Sequence, residues 1–269
     1  MRKAALLLLL SGSLYGQGPV DGFMKKKKEF SVGLSFSNEK ASKLYAGPEL
    51  GSGSRTTRAL SFFGIYGFTD KLNVQLGIPY LNVNKGEEND LQDGSIYLKY
   101  NFLTKENKFG KLKAMVATGF VQPLSEYQVY GGSAIGQMSI AGDGRLIVQQ
   151  NFKSNYFASI QAGYFLKSNP TPNAVSSSFK IGFAGKVYVD GFFEIIHAFG
   201  GTDYRGVDEL QVSSSSGGFR GLGFSYQKIG GTIYYEVHPH IGLFGGASYI
   251  LNGRNAFKNT GVNIGIVFQ

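Results

Sequence analysis

Apolar and polar residues alternate without a break between Leu72 and Tyr80, and this alternation constrains the fold more than any other feature. The apolar positions are Leu72, Val74, Leu76, Ile78 and Tyr80, and the intervening positions are Asn73, Gln75, Gly77 and Pro79. Because successive side chains of a β-strand point to opposite faces, the segment has one apolar and one polar face. The same alternation occupies 60–68, and residues 68–71 are suited to a tight turn. We therefore expect a hairpin with one face on lipid and one on water.

Ten further segments alternate in the same way, which gives twelve predicted strands, with ten or fourteen as the alternative counts. The twelve segments are 30–37, 60–68, 72–81, 95–102, 112–121, 145–152, 156–166, 179–183, 187–195, 229–237, 241–251 and 262–268. Long predicted loops follow the odd-numbered strands, at 38–57, 84–93, 122–142, 168–176, 200–218 and 252–259. Outer-membrane barrels separate short periplasmic turns from long external loops in this manner. The sequence predicts an all-β fold, a transmembrane antiparallel up-and-down β-barrel with both termini in the periplasm.

Composition excludes several other classes of protein. Apolar residues make up 42% of the chain, yet none of the apolar runs reaches the roughly 18 residues that a membrane helix needs. The chain has 39 Gly and no Cys, which excludes disulfides, thiol catalysis and cysteine metal sites. The net charge of +9 is attributed mainly to the N-terminal region, so no basic face for nucleic acid is predicted.

The N-terminal region divides into two predicted segments ahead of the barrel. Residues 1–16 have the charged start, short apolar stretch and small residues of a secretory signal peptide. Residues 17–29 form a lysine-rich segment that includes Lys25, Lys26, Lys27 and Lys28. We expect this segment in the periplasm, either as a solvated tail or as a cap and anionic contact at the barrel mouth. Residues 30–269 form the predicted barrel.

Charged residues on the inward face are the main candidates for a solute path. Parity places Lys99, Lys113 and Arg145 in the lumen on strands four to six, and Lys180, Asp190, Glu194 and Glu236 on strands eight to ten. One interpretation is a basic wall that faces an acidic wall and orients dipolar solutes. The other is that the charges pair locally, as Lys180 with Asp190 would across one hairpin.

Inward aromatic residues are a second, weaker indication of a solute path. Parity assigns to this set Tyr97, Phe157, Phe165, Tyr188, Phe192 and Tyr234. These rings could guide an apolar or aromatic solute, or they could fill the volume of a small barrel. The pattern alone leaves both interpretations open.

Catalytic and metal chemistry find little support in the sequence. His197 has outward parity, and a pairing with a serine such as Ser225 is the single arrangement that would suggest a barrel hydrolase. His238 and His240 flank Pro239 in a predicted turn with no adjacent carboxylates, so they are interpreted as turn residues rather than metal ligands. We expect no enzymatic activity, no cofactor and no metal.

Three stretches resemble a known family. They are residues 67–80 (GFTDKLNVQLGIPY), 91–100 (LQDGSIYLKY) and 248–255 (SYILNGRN). The chain from about residue 62 onward is similar to the outer-membrane proteins grouped with the meta-pathway of phenol degradation. The resemblance implies a transporter for small, sometimes aromatic or hydrophobic compounds, and it carries no set of binding residues. The C-terminal Phe268-Gln269 departs from the usual terminal aromatic residue.

The predicted function is passive passage of small molecules, some of them hydrophobic or aromatic, through a polar lumen. A structural or partner-binding barrel with a closed lumen is the alternative, and a barrel hydrolase is the least favoured. The expected partners are outer-membrane lipid and a small-molecule solute, with no nucleic acid. The sequence specifies neither the solute nor the oligomeric state.

Overall fold

A computed structural model describes residues 20–204 and 218–269, so the predicted signal peptide at 1–16 lies outside the described residues. The strands are β1 (Phe30–Ala46), β2 (Glu49–Thr69), β3 (Leu72–Val83), β4 (Glu88–Leu91), β5 (Asp93–Asn107), β6 (Gly110–Pro123), β7 (Ala141–Phe152), β8 (Tyr156–Lys167), β9 (Ala174–Ala184), β10 (Val187–Ala198), β11 (Ser225–His238), β12 (Ile241–Arg254) and β13 (Phe257–Phe268). One short 3-10 helix spans Gly218–Gly221. In the described ranges, no helix is both long and apolar enough to cross a bilayer.

The strands close into an antiparallel barrel. Each long strand pairs with its neighbours in sequence, and β1 pairs with β13 from Val32↔Phe268 onward. The four-residue β4 pairs only with the end of β3, so the closed wall has twelve strands, as the sequence predicts. Closure provides partners for the backbone groups that an open edge would expose to hydrocarbon.

Large apolar side chains cover the outside of this wall. Ile160, Leu166 and Ile264 are among the most exposed, and each is more than half accessible. The hairpin that opened the sequence analysis shows the same division, with Leu76 exposed and its neighbour Gln75 buried. The period-two pattern therefore places one parity on the outer surface and the other in the lumen.

The two ends of the barrel differ in their connections. The turns after β2, β5, β7, β9 and β11 have two or three residues and lie at one end, called here the turn end. The opposite end, called the loop end, carries the longer segments between β6 and β7, β8 and β9, and β10 and β11. The segregation of loop length that the sequence predicts is confirmed for these connections.

Two predicted loops are strands, which corrects the sequence interpretation. Most of 38–57 extends β1 and β2, which stay paired as far as Ala46↔Glu49 and turn at Gly47-Pro48. Much of 252–259 likewise belongs to β12 and β13. About ten residues suffice to cross a tilted bilayer, whereas β1 and β2 have 17 and 21 residues. The extensions project beyond the apolar belt, where no apolar alternation marks a strand.

Inside the barrel, aromatic rings lie on glycines of the adjacent strand. The register sets Tyr97 opposite Gly119, Phe157 opposite Gly182, Phe192 opposite Gly230, and Phe244 opposite Gly265. A Cβ atom at any of these glycines would overlap the facing ring. The high glycine content thus lets rings lie against the wall, and it accounts for part of the inward aromatic set.

Candidate functional site

The N-terminal segment occupies the lumen. Residues 20–29, called here the plug, enter from the turn end ahead of β1. Lys28 N donates to Gly67 O at 2.7 Å, and Gly67 N donates to Glu29 O at 2.9 Å. A Cβ atom at Gly67 would overlap the carbonyl of Lys26, so a glycine there permits the close approach of the plug. Val20, at the other end of the plug, is buried in a cluster with Met115 and Ile147.

Lys99 is the main polar anchor of the plug. Its ammonium is fully buried and lies 3.0 Å from Asp21 Oδ1. It also donates to the backbone carbonyls of Asp21, at 2.9 Å, and of Phe23. All three donors of the ammonium are therefore used by the plug. Sequence parity places Lys99 in the lumen correctly, but the plug was not predicted as its partner.

Asn73 pairs with the plug in the manner of a neighbouring strand. Lys25 N donates to Asn73 Oδ1 at 2.8 Å, and Asn73 Nδ2 donates back to Lys25 O at 3.0 Å. The side-chain amide thus satisfies both backbone groups of one plug residue. Such polar partners explain why a segment of mixed polarity packs inside the lumen.

Aromatic packing completes the closure. The ring centroid of Phe23 lies 5.1 Å from that of Phe157 and 6.1 Å from that of Tyr188. Phe157 and Tyr188 stack on each other at 5.5 Å. These rings belong to one buried cluster with Phe63 and Phe244, so the plug packs against a continuous aromatic cluster toward the turn end of the lumen.

Lys25 differs from the plug groups described above because its buried ammonium has no hydrogen-bond partner among the described residues. It is 2% exposed, and its Nζ makes no hydrogen bond with a residue of 20–204 or 218–269. Burial lowers the pKa of Lys25 to about 8, although the carboxylates of Glu29 and Asp21 act in the opposite direction. The plug therefore contains one group whose charge opposes its docking.

The remaining inward charges form local pairs rather than separate walls. Lys180 Nζ lies 3.5 Å from Asp190 Oδ2, Arg145 Nε lies 2.6 Å from Asp143 Oδ2, and Lys228 Nζ lies 3.1 Å from Glu194 Oε2. The Lys180–Asp190 pair is the one predicted from the sequence, and it forms diagonally across the hairpin, where Lys180 is opposite Phe192. Because each buried acid on β10 has its own cation, the structure gives no basic wall opposite an acidic wall.

The other predicted site residues lie on the inward face at different depths. Tyr97 donates to Asp143 at 2.7 Å, and Gln269 donates to the Tyr234 hydroxyl at 2.6 Å. Lys113 lines a cavity of about 680 Å³ at the turn end, called here the vestibule. Glu236 is exposed near the same end. Their positions are consistent with the predicted parity, and their roles in transport remain predictions.

A second cavity lies at the loop end and is called here the chamber. Its volume is about 330 Å³, and all twelve wall strands contribute to its lining. The β6–β7 loop folds inward over it, with Tyr127 and Ile135 buried against Leu81. Segment 218–224 joins this cover, since Phe219 N donates to Val129 O at 2.8 Å. The described lumen therefore contains a covered chamber at the loop end and a vestibule at the turn end, with the plug between them.

Several of these residues were missed at the sequence level. The plug residues Asp21 and Phe23 and the chamber residues Gln137 and Lys167 have no local pattern that marks them. One signal was present: Lys99 has inward parity, yet β5 and its neighbours β3 and β6 carry no acid opposite it in register. A buried lysine needs a compensating charge, so a carboxylate from outside the wall was required.

The histidines do not assemble a catalytic or metal site. His197 is exposed on the outer wall, with its ring 5.8 Å from Phe199. Ser225 is buried, and its Oγ accepts a hydrogen bond from Ala198 N at 3.0 Å, so the hydrolase pairing is not formed. His238 and His240 lie in the exposed turn, as expected. Among the described residues, no three of His, Asp or Glu are grouped to hold a metal ion.

Known proteins were compared by sequence and by structure. No protein-family model matches the sequence, and no curated protein is significantly similar to it, so the resemblance noted above stays a prediction. The fold is similar to that of an outer-membrane channel from Pseudomonas putida F1, with a TM-score of 0.62 and 13% identity over 93% of this chain and 99% of that one.

Two porins have the same architecture. The NanC porin matches with a TM-score of 0.54 and 10% identity, over 88% of this chain and 99% of that chain. The KdgM porin in complex with disordered oligogalacturonate matches with a TM-score of 0.51 and 8% identity, over 88% and 98%. At these identities the likeness establishes the fold alone, which is an antiparallel up-and-down β-barrel.

Proposed function

We propose that this protein is a bacterial outer-membrane channel for passive passage of small molecules, and that the plug closes it. The observation that carries the proposal is that the chamber and the vestibule are separated by a segment that is not part of the wall. Withdrawal of residues 20–25 breaks side-chain contacts and a few hydrogen bonds, but it breaks no strand pairing. The barrel can therefore open without unfolding.

The interior chemistry supports a path that admits water. Gln161 is buried, and neither atom of its amide has a hydrogen-bond partner among the described residues. The hydroxyl of Ser176, on the adjacent strand β9, also has no hydrogen-bond partner among the described residues. Buried polar groups are normally satisfied by protein or water, so such groups fit a hydrated lumen better than a sealed core.

The cellular location follows from the outer surface and the N-terminus. An apolar exterior around a closed twelve-stranded wall fits a bilayer, and the predicted signal peptide at 1–16 fits export. With the short turns in the periplasm, both barrel termini lie on that side. The predicted lysine-rich segment at 17–29 then enters the pore from the periplasm.

The solute class that we propose is small and partly apolar. The chamber lining includes Phe165, Phe219, Phe224 and Phe257, and the family resemblance points to aromatic or hydrophobic compounds. A lumen that also holds several ion pairs would exclude long apolar chains, because their passage would desolvate those charges.

A barrel with a permanently closed lumen is the second candidate function. It is favoured by the dense packing of Phe23, Phe157 and Tyr188 inside the barrel. Conductance distinguishes the two candidates. A variant that retains the signal peptide but lacks residues 20–25 should give several-fold larger single-channel currents than the full chain in planar bilayers.

A matched deletion controls for the loss of chain length. Residues 84–89 form the β3–β4 turn and the start of β4, which is not one of the twelve wall strands and lines neither cavity. Their removal should leave the plug and the cover of the chamber in place. Both variants should keep the heat-dependent gel mobility of a closed barrel. Equal, negligible currents from all three proteins would support the permanently closed barrel and contradict the channel.

A further inference from the structure

The chamber has the dimensions of a binding site for one small molecule. Its volume of about 330 Å³ lies at the lower end of the range for ligand pockets. It spans the loop end of the lumen, since its lining includes Leu81 of β3 and Ile250 of β12, which belong to distant parts of the wall. A solute that enters from the loop end would meet this space before it reaches the plug.

Three cations line the chamber, and two of them have structural partners. Lys228 pairs with Glu194 at 3.1 Å. Arg55 donates to the backbone carbonyls of Gly132 and Ala134 at 3.1 and 2.7 Å, and thereby holds the β6–β7 loop. Its guanidinium also lies 5.3 Å from the centroid of the Phe257 ring.

Lys167, the third cation, has a different environment. Its Nζ donates to Gln137 Oε1 at 2.9 Å. Among residues 20–204 and 218–269, no carboxylate oxygen lies within 4.0 Å of this ammonium. A neutral amide thus accepts from one of the three N–H donors of the ammonium. The other N–H groups of Lys167 can donate to an anion in the chamber.

The two carboxylates that line the chamber are held by neutral donors. Asp93 Oδ1 accepts from the Tyr127 hydroxyl at 2.5 Å, and Glu39 Oε2 accepts from Asn259 Nδ2 at 2.6 Å. Both would repel an anion that approached them. Asp93 is close enough to Lys167 to interact with it electrostatically, so the anion must bind Lys167 on the side away from Asp93. The aromatic residues of the lining leave room for an apolar body.

We infer that the chamber binds a small organic monocarboxylate with an apolar body, and that Lys167 recognises its carboxylate. This inference rests on the proposed channel function and names the solute class for it. Hydrogen bonds between ions are roughly twice as strong as those with a neutral partner. A carboxylate therefore competes effectively with Gln137 Oε1 for the ammonium.

Replacement of Gln137 Oε1 by the bound carboxylate at Lys167 would also loosen the cover of the chamber. Gln137 Nε2 donates to the carbonyls of Phe219 and Leu222 at 3.3 and 3.1 Å. Gln137 therefore joins the wall, the β6–β7 loop and segment 218–224 through one side chain. Release of its Oε1 from Lys167 removes one hydrogen bond between this loop and β8, while the hydrogen bonds of Ser139 and Ile140 with Ser168 remain.

Three probes of nearly equal shape test the inference. Benzoate, benzamide and benzylamine differ mainly in charge, and their equilibrium binding to the full chain folded in detergent can be measured by titration calorimetry. Benzoate should bind at least about tenfold more tightly than benzamide, because one charge-assisted hydrogen bond is at stake. Benzylamine should bind no better than benzamide.

Substitution of Lys167 assigns the effect to one residue. Lys167→Met should weaken benzoate binding about tenfold or more and leave benzamide binding unchanged. Lys167→Arg should retain the preference for benzoate. Lys186→Met is the matched control, since Lys186 is exposed in the β9–β10 turn and lines neither cavity. The benzoate affinity of this variant should equal that of the unmodified protein.

The outcomes separate this inference from the proposed function. Benzamide binding that equals benzoate binding, or benzoate binding that is unchanged in Lys167→Met, overturns the carboxylate site. Stronger binding of benzylamine overturns it in favour of recognition by Asp93 and Glu39. Since binding in detergent requires no flux, these results stand whether or not the plug deletion conducts.

Discussion

At the residue scale, Lys99 connects the wall to the plug more strongly than any other described side chain. Its ammonium is fully buried, and all three donors bind Asp21 or Phe23. A buried pair adds little net stability when both partners are intact, but removal of one partner leaves an uncompensated charge. The arrangement therefore specifies the docked position of the plug.

Lys99→Met should release the plug. The substitution leaves Asp21 without its cation, at a cost on the order of 3 kcal/mol to docking. We expect a larger fraction of open channels in planar bilayers and faster protease cleavage between residues 20 and 29. The double variant Lys99→Met with Asp21→Asn should recover much of the closed fraction, because position 21 then carries no uncompensated charge. Identical gating in the single and double variants would argue against this account of the anchor.

Lys25 makes docking of the plug dependent on pH. In the docked plug its pKa is about 8, whereas an exposed lysine has a pKa of about 10.4. Between these values the undocked plug binds more protons, so docking strengthens as the pH rises through this window. Below about pH 8 the lysine is protonated in both states, and this contribution no longer changes.

The open-channel fraction should therefore fall as the pH is raised from about 7.5 to 10. Lys25→Met should remove this dependence and favour the closed state at neutral pH. Lys27→Met is the matched control, because Lys27 is exposed on the same segment, and it should keep the full pH response. A response that persists in Lys25→Met would assign the titration to another group.

At the element scale, the packing of rings on glycines governs how adjacent strands fit. Phe157 lies over Gly182 of the paired strand β9, and a Cβ there would lie 2.7 Å from the ring and overlap the carbonyl of Val189. Gly144 on β7 has no heavy atom within 4 Å of the corresponding position. The two glycines thus differ in packing although both lie within strands.

Gly182→Ala should destabilise the barrel, and Gly144→Ala should not. Overpacking of this kind costs about 1–3 kcal/mol, and the displaced Phe157 ring would also disturb the seal against Phe23. Unfolding in denaturant from lipid vesicles, followed by gel mobility, measures both variants. Equal unfolding midpoints for the two variants would show that the packing of Phe157 on Gly182 does not contribute to the stability of the barrel.

Most strands were predictable from the sequence. The segments wrongly predicted as loops, above all 38–57, have a physical explanation. The apolar alternation of β3, β8 and β13 follows from their contact with lipid, so it is visible in the sequence. The outer parts of β1 and β2 pair with each other beyond the belt, where both faces contact water or protein. No period-two contrast is required there, and residues 38–57 resemble a loop.

At the scale of the whole molecule, lysines from several short turns gather at the turn end. Lysines of the short turns, including Lys71, Lys108, Lys153 and Lys186, lie at the end where Lys26–Lys28 enter. The sequence interpretation attributed the excess charge mainly to the N-terminal region. Because strands run antiparallel, closure brings turn residues that are distant in sequence to one rim, so the basic region is larger than the segment alone.

The candidate site was less predictable than the wall. Parity places Lys99, Arg145, Lys180 and Glu194 in the lumen, and the Lys180–Asp190 pair is predicted across one hairpin. The Asp21–Lys99 contact joins residues 78 positions apart, and the Lys167–Gln137 contact depends on an inward-folded loop. Such contacts follow from tertiary packing rather than from local periodicity, so no pattern in the sequence marks them.

A reversible covalent lock on the plug tests the central claim most directly. An ideal Cβ at Gly22 lies 3.0 Å from the Cβ of Gln149 on β7, close to the 3.5–4.5 Å of a disulfide. The chain has no other Cys, so Gly22→Cys with Gln149→Cys introduces a single pair that links the plug to the wall.

Single-channel current of this double variant should depend on its redox state. We expect the oxidised protein to stay closed and the reduced protein to conduct, with the change reversed on reoxidation. The current of each single-cysteine variant should not change when the reductant is added. Equal currents in the oxidised and reduced states, with the disulfide confirmed by mass, would contradict a channel that opens by withdrawal of its N-terminal segment.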